Sequence, residues 1–180
     1  MSARLADAEL LFAAHRDGVF RYLCRIVGVR EAEELTQEVF LRAARGPVPE
    51  ADEAGRRAWV FTIARNLALN RVRDDRRRGV PVALPDRGAA PTQELAAAVR
   101  EALDGLAPLD RDVFLMREAG GLNYQEISVA CGLTVDAVRS RLHRARQQLR
   151  AALGPVFDNE RIRGVRLYVR SDTTNVDGDR

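Results

Sequence analysis

Lysine is absent from this sequence of 180 residues, and aromatic residues are scarce. All 29 basic residues are therefore arginine, and 26 acidic residues nearly balance them, for a formal net charge of +3. An arginine fork grips phosphates and base edges better than an ammonium group does. The lack of lysine therefore does not argue against nucleic acid as a partner, provided that the arginines cluster.

Cysteine and long apolar runs are also scarce. Cys24 and Cys131 stand alone, without the spacing of a metal site or a redox pair, so we interpret both as buried, reduced thiols. The N-terminus has no apolar signal core, and no stretch is long enough to span a bilayer. These features lead us to expect a soluble, cytosolic protein.

Alanine and leucine are plentiful and strand-type alternation is nearly absent before residue 160, so the sequence predicts an all-α protein. Residues 79–93 hold three prolines and two glycines without periodicity, which indicates a flexible linker. It divides the chain into a three-to-four-helix N-terminal domain (1–78) and a helix-turn-helix C-terminal domain (94–153), each with a modest core. The tail, 154–180, shows weak strand-like alternation, and we expect it to be largely disordered or ordered only against a partner.

Apolar stripes place the helices. The first ends near Gly28, the second is stopped by Gly46, and the third begins after Gly55 and runs to about Arg78. The predicted inward stripe of the first consists of Val19, Leu23, Ile26 and Val27, and that of the second of Leu35, Val39, Phe40 and Ala43. The C-terminal domain predicts helices at about 93–105, 110–118, 124–131 and 135–152.

The last predicted helix carries several arginines outside its apolar face. Gly132 is suited to a left-handed turn and Thr134 to an N-cap, the punctuation of a helix-turn-helix. One face is apolar, and the rest of the surface suits the major groove, where side-chain donors read base edges. The alternative is an ordinary solvent-exposed surface without a ligand. Against it, the charges on this face are almost all positive, and glutamates do not alternate with the arginines. The candidate duplex-binding residues are Arg139, Ser140, Arg141, His143, Arg144 and Gln147.

The third helix of the N-terminal domain carries a polar stripe that includes the single tryptophan. Aromatic stacking, amide groups and arginines together suit single-stranded DNA. A tryptophan that caps the core would explain the helix almost equally well, and the basic run at 71–78 favours nucleic acid modestly. The candidate residues are Trp59, Asn66, Asn70, Arg73 and Arg77.

The second helix is acidic and would repel DNA, so we expect a protein partner there. The candidate partner-binding residues are Glu34, Leu35, Gln37, Glu38 and Phe40. A carboxylate metal site is the weaker alternative because no Glu-x-x-His accompanies them. No catalytic, phosphate-binding or zinc constellation occurs in the sequence, so we expect neither catalysis nor a cofactor or metal.

Residues 33–42, 58–66, 121–127 and 138–146, in this order and spacing, resemble the extracytoplasmic-function sigma factors of bacterial RNA polymerase. The resemblance covers about residues 8–153. It implies that the second helix docks on the coiled coil of the polymerase β′ subunit, and that the β subunit is a further partner within the polymerase core. It further implies that the third helix captures the melted −10 strand, that the last helix reads −35 duplex, and that the linker threads toward the polymerase channels.

The resemblance also implies an anti-sigma factor as a partner, often one that holds the sigma factor at the inner membrane. His143 stands where relatives often have an aromatic or aliphatic residue, and Pro47 and Pro49 lie in the loop before the third helix. Two alternatives stay open at this point. One is a stand-alone helix-turn-helix repressor or activator, and the other is a sigma mimic that binds proteins but not promoters.

Overall fold

The computed structural model describes the backbone of residues 2–49, 51–79 and 93–154. Within those ranges the chain forms seven α-helices and no strand, so the predicted all-α class is confirmed. None of the helices described there is long and apolar enough to cross a membrane. The predictions for most of the linker (80–92) and for nearly all of the tail (155–180) lie outside the described residues.

Three long helices build the N-terminal domain: α1 (Ser2–Val27), α2 (Val29–Arg45) and α3 (Glu53–Arg78). The single residue between α1 and α2 is Gly28, whose φ of 90° is accessible to glycine without steric cost. The predicted apolar stripe on α1 is buried, as are Val39, Phe40 and Ala43 on α2. Leu35 is only partly buried against the core.

The predicted start of α3 is wrong by about one turn. The helix begins at Glu53 because the Asp52 carboxylate accepts a hydrogen bond from the Gly55 amide at 2.8 Å, which satisfies an otherwise unpaired donor. Gly55 therefore lies in the first turn of α3 rather than before it.

Four helices follow in the C-terminal domain: α4 (Gln93–Asp104), α5 (Pro108–Glu118), α6 (Tyr124–Cys131) and α7 (Val135–Leu153). Pro108 opens α5 instead of preceding it, since the first helical position needs no N–H donor. The predicted turn chemistry is confirmed. Gly132 is left-handed with a φ of 65°, and Thr134 Oγ1 accepts a hydrogen bond from the Ala137 amide at 3.2 Å.

The sequence predicted a core for each domain, but the structure joins them into one continuous apolar cluster. Tyr22 of α1 and Phe61 of α3 are both fully buried, with ring centroids 5.8 Å apart. Phe61 also reaches Gly120, which follows α5 and has no side chain to keep the aromatic ring away. Each such ring contributes about 1.5–3 kcal/mol by its burial, so the contact between the domains is substantial.

Candidate nucleic-acid and partner interfaces

The outer face of α7 is exposed as predicted. Val138, Leu142, Ala145 and Leu149 form its buried face. Five of the six candidate residues are exposed, namely Arg139, Ser140, His143, Arg144 and Gln147. Arg139 pairs with Asp136 one turn earlier at 2.9 Å, where both side chains are solvent-exposed and the pair is weak. This face therefore offers a row of donors to a ligand outside the protein.

Arg141 differs from the other candidates because it is held inside the domain. Its Nη1 donates to Asp110 Oδ1 at 2.6 Å, and only 27% of the side chain is exposed. Arg146 is held similarly by Glu118 of α5 at 3.1 Å. These two arginines attach α7 to α5, and only the tertiary structure separates them from the arginines that face outward.

Arg144 belongs to both groups. Its Nε and Nη2 donate to the two oxygens of Asp110 at 3.3 and 3.4 Å, while 52% of the side chain is exposed. Burial raises the pKa of Asp110, but the hydrogen bonds from Arg144 and Arg141 outweigh it, so the pKa lies below its ordinary value. Asp110 is thus an ionised residue beneath the exposed face of α7, and nothing in its own sequence context singled it out.

The polar stripe on α3 is partly as predicted. Asn66, Asn70, Arg73 and Arg77 are exposed, and Arg73 Nη1 donates to Asn70 Oδ1 at 3.2 Å. Trp59 is half-buried and packs against the core, so its capping role and an external role are compatible. Arg73 and Arg77 also line a cavity of about 700 Å³ between the domains.

Two other arginines of α3, Arg57 and Arg65, lie off the polar stripe and were not among the predicted residues. Arg57 Nη2 donates to the carbonyl of Gly120 at 2.8 Å, and its Nη1 lies 3.7 Å from Glu126 Oε2. Arg65 Nε donates to Asp112 Oδ2 at 2.9 Å. Both pairs cross between the domains, so α3 also forms part of an internal interface. Their partners are far away in the sequence, and no local pattern could have identified them.

Packing buries one of the five candidate partner-binding residues on α2, namely Phe40. Glu34 and Gln37 are exposed, and Glu38 accepts a hydrogen bond from Arg42 at 2.6 Å. Phe40 is in the core, 7% exposed, with its ring edge-on to Phe12 at 5.0 Å between centroids.

Leu41 was not among the predicted residues, yet it is 49% exposed. It falls seven residues after Glu34, four after Gln37 and three after Glu38, so all four share one helical face. Helical spacing was the signal that could have found it. Glu34, Gln37, Glu38 and Leu41 thus form one face of α2 that is at least partly exposed.

Neither Cys24 nor Cys131 forms a disulfide, but the prediction that both are buried is wrong for one of them. Cys24 is fully buried, whereas Cys131 is partly exposed because it ends α6 beside the turn at Gly132. Burial nevertheless raises the pKa of Cys131 to about 11, and its Sγ lies 3.6 Å from the Met116 sulfur. A thiol with this pKa is unreactive at neutral pH.

Comparison with known families assigns both domains. Sigma-70 region 2 matches residues 11–78, and sigma-70 region 4 matches residues 96–149. The sigma factor SigE of Mycolicibacterium smegmatis is 34% identical over 82% of this chain, which spans 62% of that relative's length. SigL of Mycobacterium tuberculosis is 33% identical, with 84% of this chain and 92% of the relative covered.

A solved structure shares the fold. The sigma factor RpoE of Bartonella quintana, in complex with the anti-sigma factor NepR, covers 85% of this chain and 98% of its own, with a TM-score of 0.57 and 23% identity. Both relatives described above are named as extracytoplasmic-function RNA polymerase sigma factors. With a sequence relation that spans both domains and nearly the whole of SigL, this chain belongs to the extracytoplasmic-function sigma factors.

Proposed function

We propose that this sigma factor, a non-catalytic subunit that directs RNA polymerase to start transcription, reads its promoters through two separate surfaces. α7 binds the −35 element as duplex, and α3 holds the melted strand of the −10 element. The observation that carries the proposal is the exposed row of Arg139, Ser140, His143, Arg144 and Gln147 on one helix of a helix-turn-helix. Such a row supplies both base-edge and phosphate contacts.

The single-strand surface rests on α3. Trp59 keeps part of its surface accessible while the rest packs against the core. Asn66 and Asn70 are exposed about two and three turns further along α3. An aromatic ring that is held by the core is suited to stack on an unpaired base, and Arg73 and Arg77 can neutralise the phosphates of the DNA strand. Binding of the melted strand then shifts the equilibrium from closed to open complex without catalysis.

Two protein partners complete the proposal. The face of α2 formed by Glu34, Gln37, Glu38 and Leu41 joins an exposed apolar side chain to acidic ones, which suits docking on the β′ coiled coil of the polymerase core. The β subunit is a further partner within the polymerase core, which recruits this protein through both domains. An anti-sigma factor is the regulatory partner and holds this protein at the inner membrane; the complex of RpoE with the anti-sigma factor NepR supports the first part of this proposal.

Run-off transcription with purified core polymerase tests the proposal. We expect a promoter-specific transcript without any other sigma factor. Trp59→Ala should lower open-complex formation about tenfold, as stacking on a base is worth about 1–3 kcal/mol, and leave binding of the −35 duplex unchanged. Gln148→Ala, an exposed residue of α7 outside the candidate set, is the control and should transcribe normally.

Each alternative predicts a different outcome of this experiment. A stand-alone repressor binds the isolated duplex tightly but gives no promoter-specific transcript with core polymerase. A sigma mimic binds core polymerase but gives neither duplex binding nor transcript. Either result would overturn the proposal.

A further inference from the structure

A buried carboxylate lies directly beneath the exposed face of α7. Asp110, in the first turn of α5, is 3% exposed, yet its oxygens accept hydrogen bonds from two arginines of α7. Arg141 takes the shorter bond, 2.6 Å, and is largely enclosed. Arg144 takes two longer bonds and keeps half of its side chain in solvent.

One edge of the Arg144 guanidinium binds the carboxylate side-on, an arrangement called the side-on grip below. Nε and Nη2 face the carboxylate, and among the described residues Nη1 has no partner. A guanidinium is planar and rigid, so fixing one edge determines the direction of the other. The grip therefore aims the free edge of Arg144 away from α5, on the same exposed face as Ser140 and His143.

A free arginine side chain loses rotamer entropy when it becomes ordered. A side chain that is already ordered by Asp110 loses less of that freedom when it meets DNA, which favours binding. We infer that Asp110 is a positioning residue for promoter recognition: it holds Arg144 in the orientation in which it contacts the −35 duplex. This inference rests on the proposed reading of −35 duplex by α7.

Glu118 offers a matched control on the same helix. It is also buried, at 6% exposed, and it accepts a hydrogen bond from an arginine of α7, but that arginine is Arg146 on the flank. Replacing Glu118 by glutamine weakens the attachment of α7 to α5 without releasing Arg144. A loss that is specific to Asp110→Asn therefore separates positioning from simple helix packing.

The experiment uses holoenzyme reconstituted with the full chain. The probes are a promoter duplex that this holoenzyme transcribes and the same duplex with its −35 element scrambled. We expect Arg144→Ala and Asp110→Asn each to lower the affinity ratio between the two probes about tenfold, the scale of one arginine–base contact. The double variant should fall no further than Arg144→Ala alone. Asp110→Glu should restore part of the ratio, and Glu118→Gln should leave it unchanged.

The outcomes are distinguishable. If Arg144→Ala leaves the ratio unchanged, the proposed use of Arg144 in −35 reading fails, and the role of Asp110 fails with it. If Arg144→Ala lowers the ratio but Asp110→Asn leaves it unchanged or raises it, only the inference about Asp110 is overturned. The same holds if the double variant loses more than Arg144→Ala alone, because the two effects would then be independent. Should Asp110→Asn fail to fold, Arg144→Lys keeps the charge but cannot make the side-on grip. An unchanged ratio for Arg144→Lys would also overturn the inference.

Discussion

At the scale of single residues, the contact between the domains contains charged groups that are expensive to bury. Asp112 is 5% exposed, and burial raises its pKa against the lowering influence of Arg65. Burial also holds the pKa of Tyr22 well above its ordinary value, with the neighbouring Asp112 adding to the effect. A buried ion pair such as Arg65–Asp112 often adds little net stability compared with apolar side chains. Its consequence here is that α3 and α5 pack in one register, in which Arg65 meets Asp112.

His15 provides a test of pH dependence at this scale. It is buried in α1 with Nε2 3.0 Å from Glu53 Oε1, and Arg57 and Glu126 also influence it. Burial lowers the pKa of His15 below its ordinary value of 6.5, although Glu53 acts in the opposite direction. The folded chain therefore resists protonation at a pH where the unfolded chain already takes up a proton. Its contribution to stability is complete above pH 6.5 and is lost as the pH falls through that value toward the lowered pKa.

We expect the free energy of unfolding of the unmodified chain to fall more steeply on acidification than that of His15→Gln. The difference in slope should reach at most about 1.4 kcal/mol per pH unit just below the ordinary histidine pKa. Urea unfolding followed by circular dichroism at about pH 7.5, 6.5 and 5.5 measures both chains. Parallel pH profiles would contradict the assignment.

At the scale of the helices, α6 begins with a complete capping box, which no other helix start that the structure describes has. Asn123 Oδ1 accepts a hydrogen bond from the Glu126 amide at 2.8 Å, and Glu126 Oε2 accepts one from the Asn123 amide at 2.6 Å. This reciprocal pair satisfies two amide donors at once. It sets where α6 begins and therefore how the helix-turn-helix is aligned with α5.

Asn123→Ala should lower the free energy of unfolding by about 1 kcal/mol, because the cap is lost and an amide is left without its acceptor. Gln125→Ala is the control in the same helical turn, since Gln125 is exposed and takes no part in the cap. It should change stability by less than about 0.5 kcal/mol. Equal effects of the two substitutions in urea unfolding would show that the cap carries no stability.

At the scale of the whole molecule, the arrangement of the two domains depends on close packing around Gly120. A Cβ atom there would lie 2.7 Å from the Phe61 ring and 2.8 Å from the Met116 carbonyl oxygen, closer than any ordinary contact. Arg57 and Arg21 donate to the carbonyls of Gly120 and Ala119, so the same segment also carries polar contacts across the interface. The candidate −10 and −35 surfaces lie in different domains, and this packing sets their separation.

Gly120→Ala should therefore loosen the contact between the domains while leaving each helix intact. We expect a larger radius of gyration by small-angle X-ray scattering at unchanged helical content. Gly105→Ala is the matched control, because a Cβ there meets only carbonyl oxygens at 3.5–3.6 Å. An unchanged radius for Gly120→Ala would mean that the domains tolerate the added methyl group, and that this packing does not hold them together.

Local features of this protein could be predicted from the sequence alone. The helix-turn-helix depends on Gly132 and Thr134, which act on their own turn, and the buried face of α7 follows from helical spacing. The sequence does not predict the start of α3 correctly, because Gly55 resembles a helix boundary while Asp52 is the actual N-cap. The exposed face of α7 and the stripe of α3 were found for the same local reason, and their roles in DNA binding stay proposals.

Long-range packing, by contrast, determines which side chains of those faces already have partners within the protein. Arg141 and Arg144 meet Asp110 across 31 and 34 residues of sequence, and Arg65 meets Asp112 across 47. Phe40 turned into the core while Leu41 stayed exposed, because α1 packs on that side of α2. Helical periodicity determines which residues share a face, but the chain's long-range packing determines what that face meets.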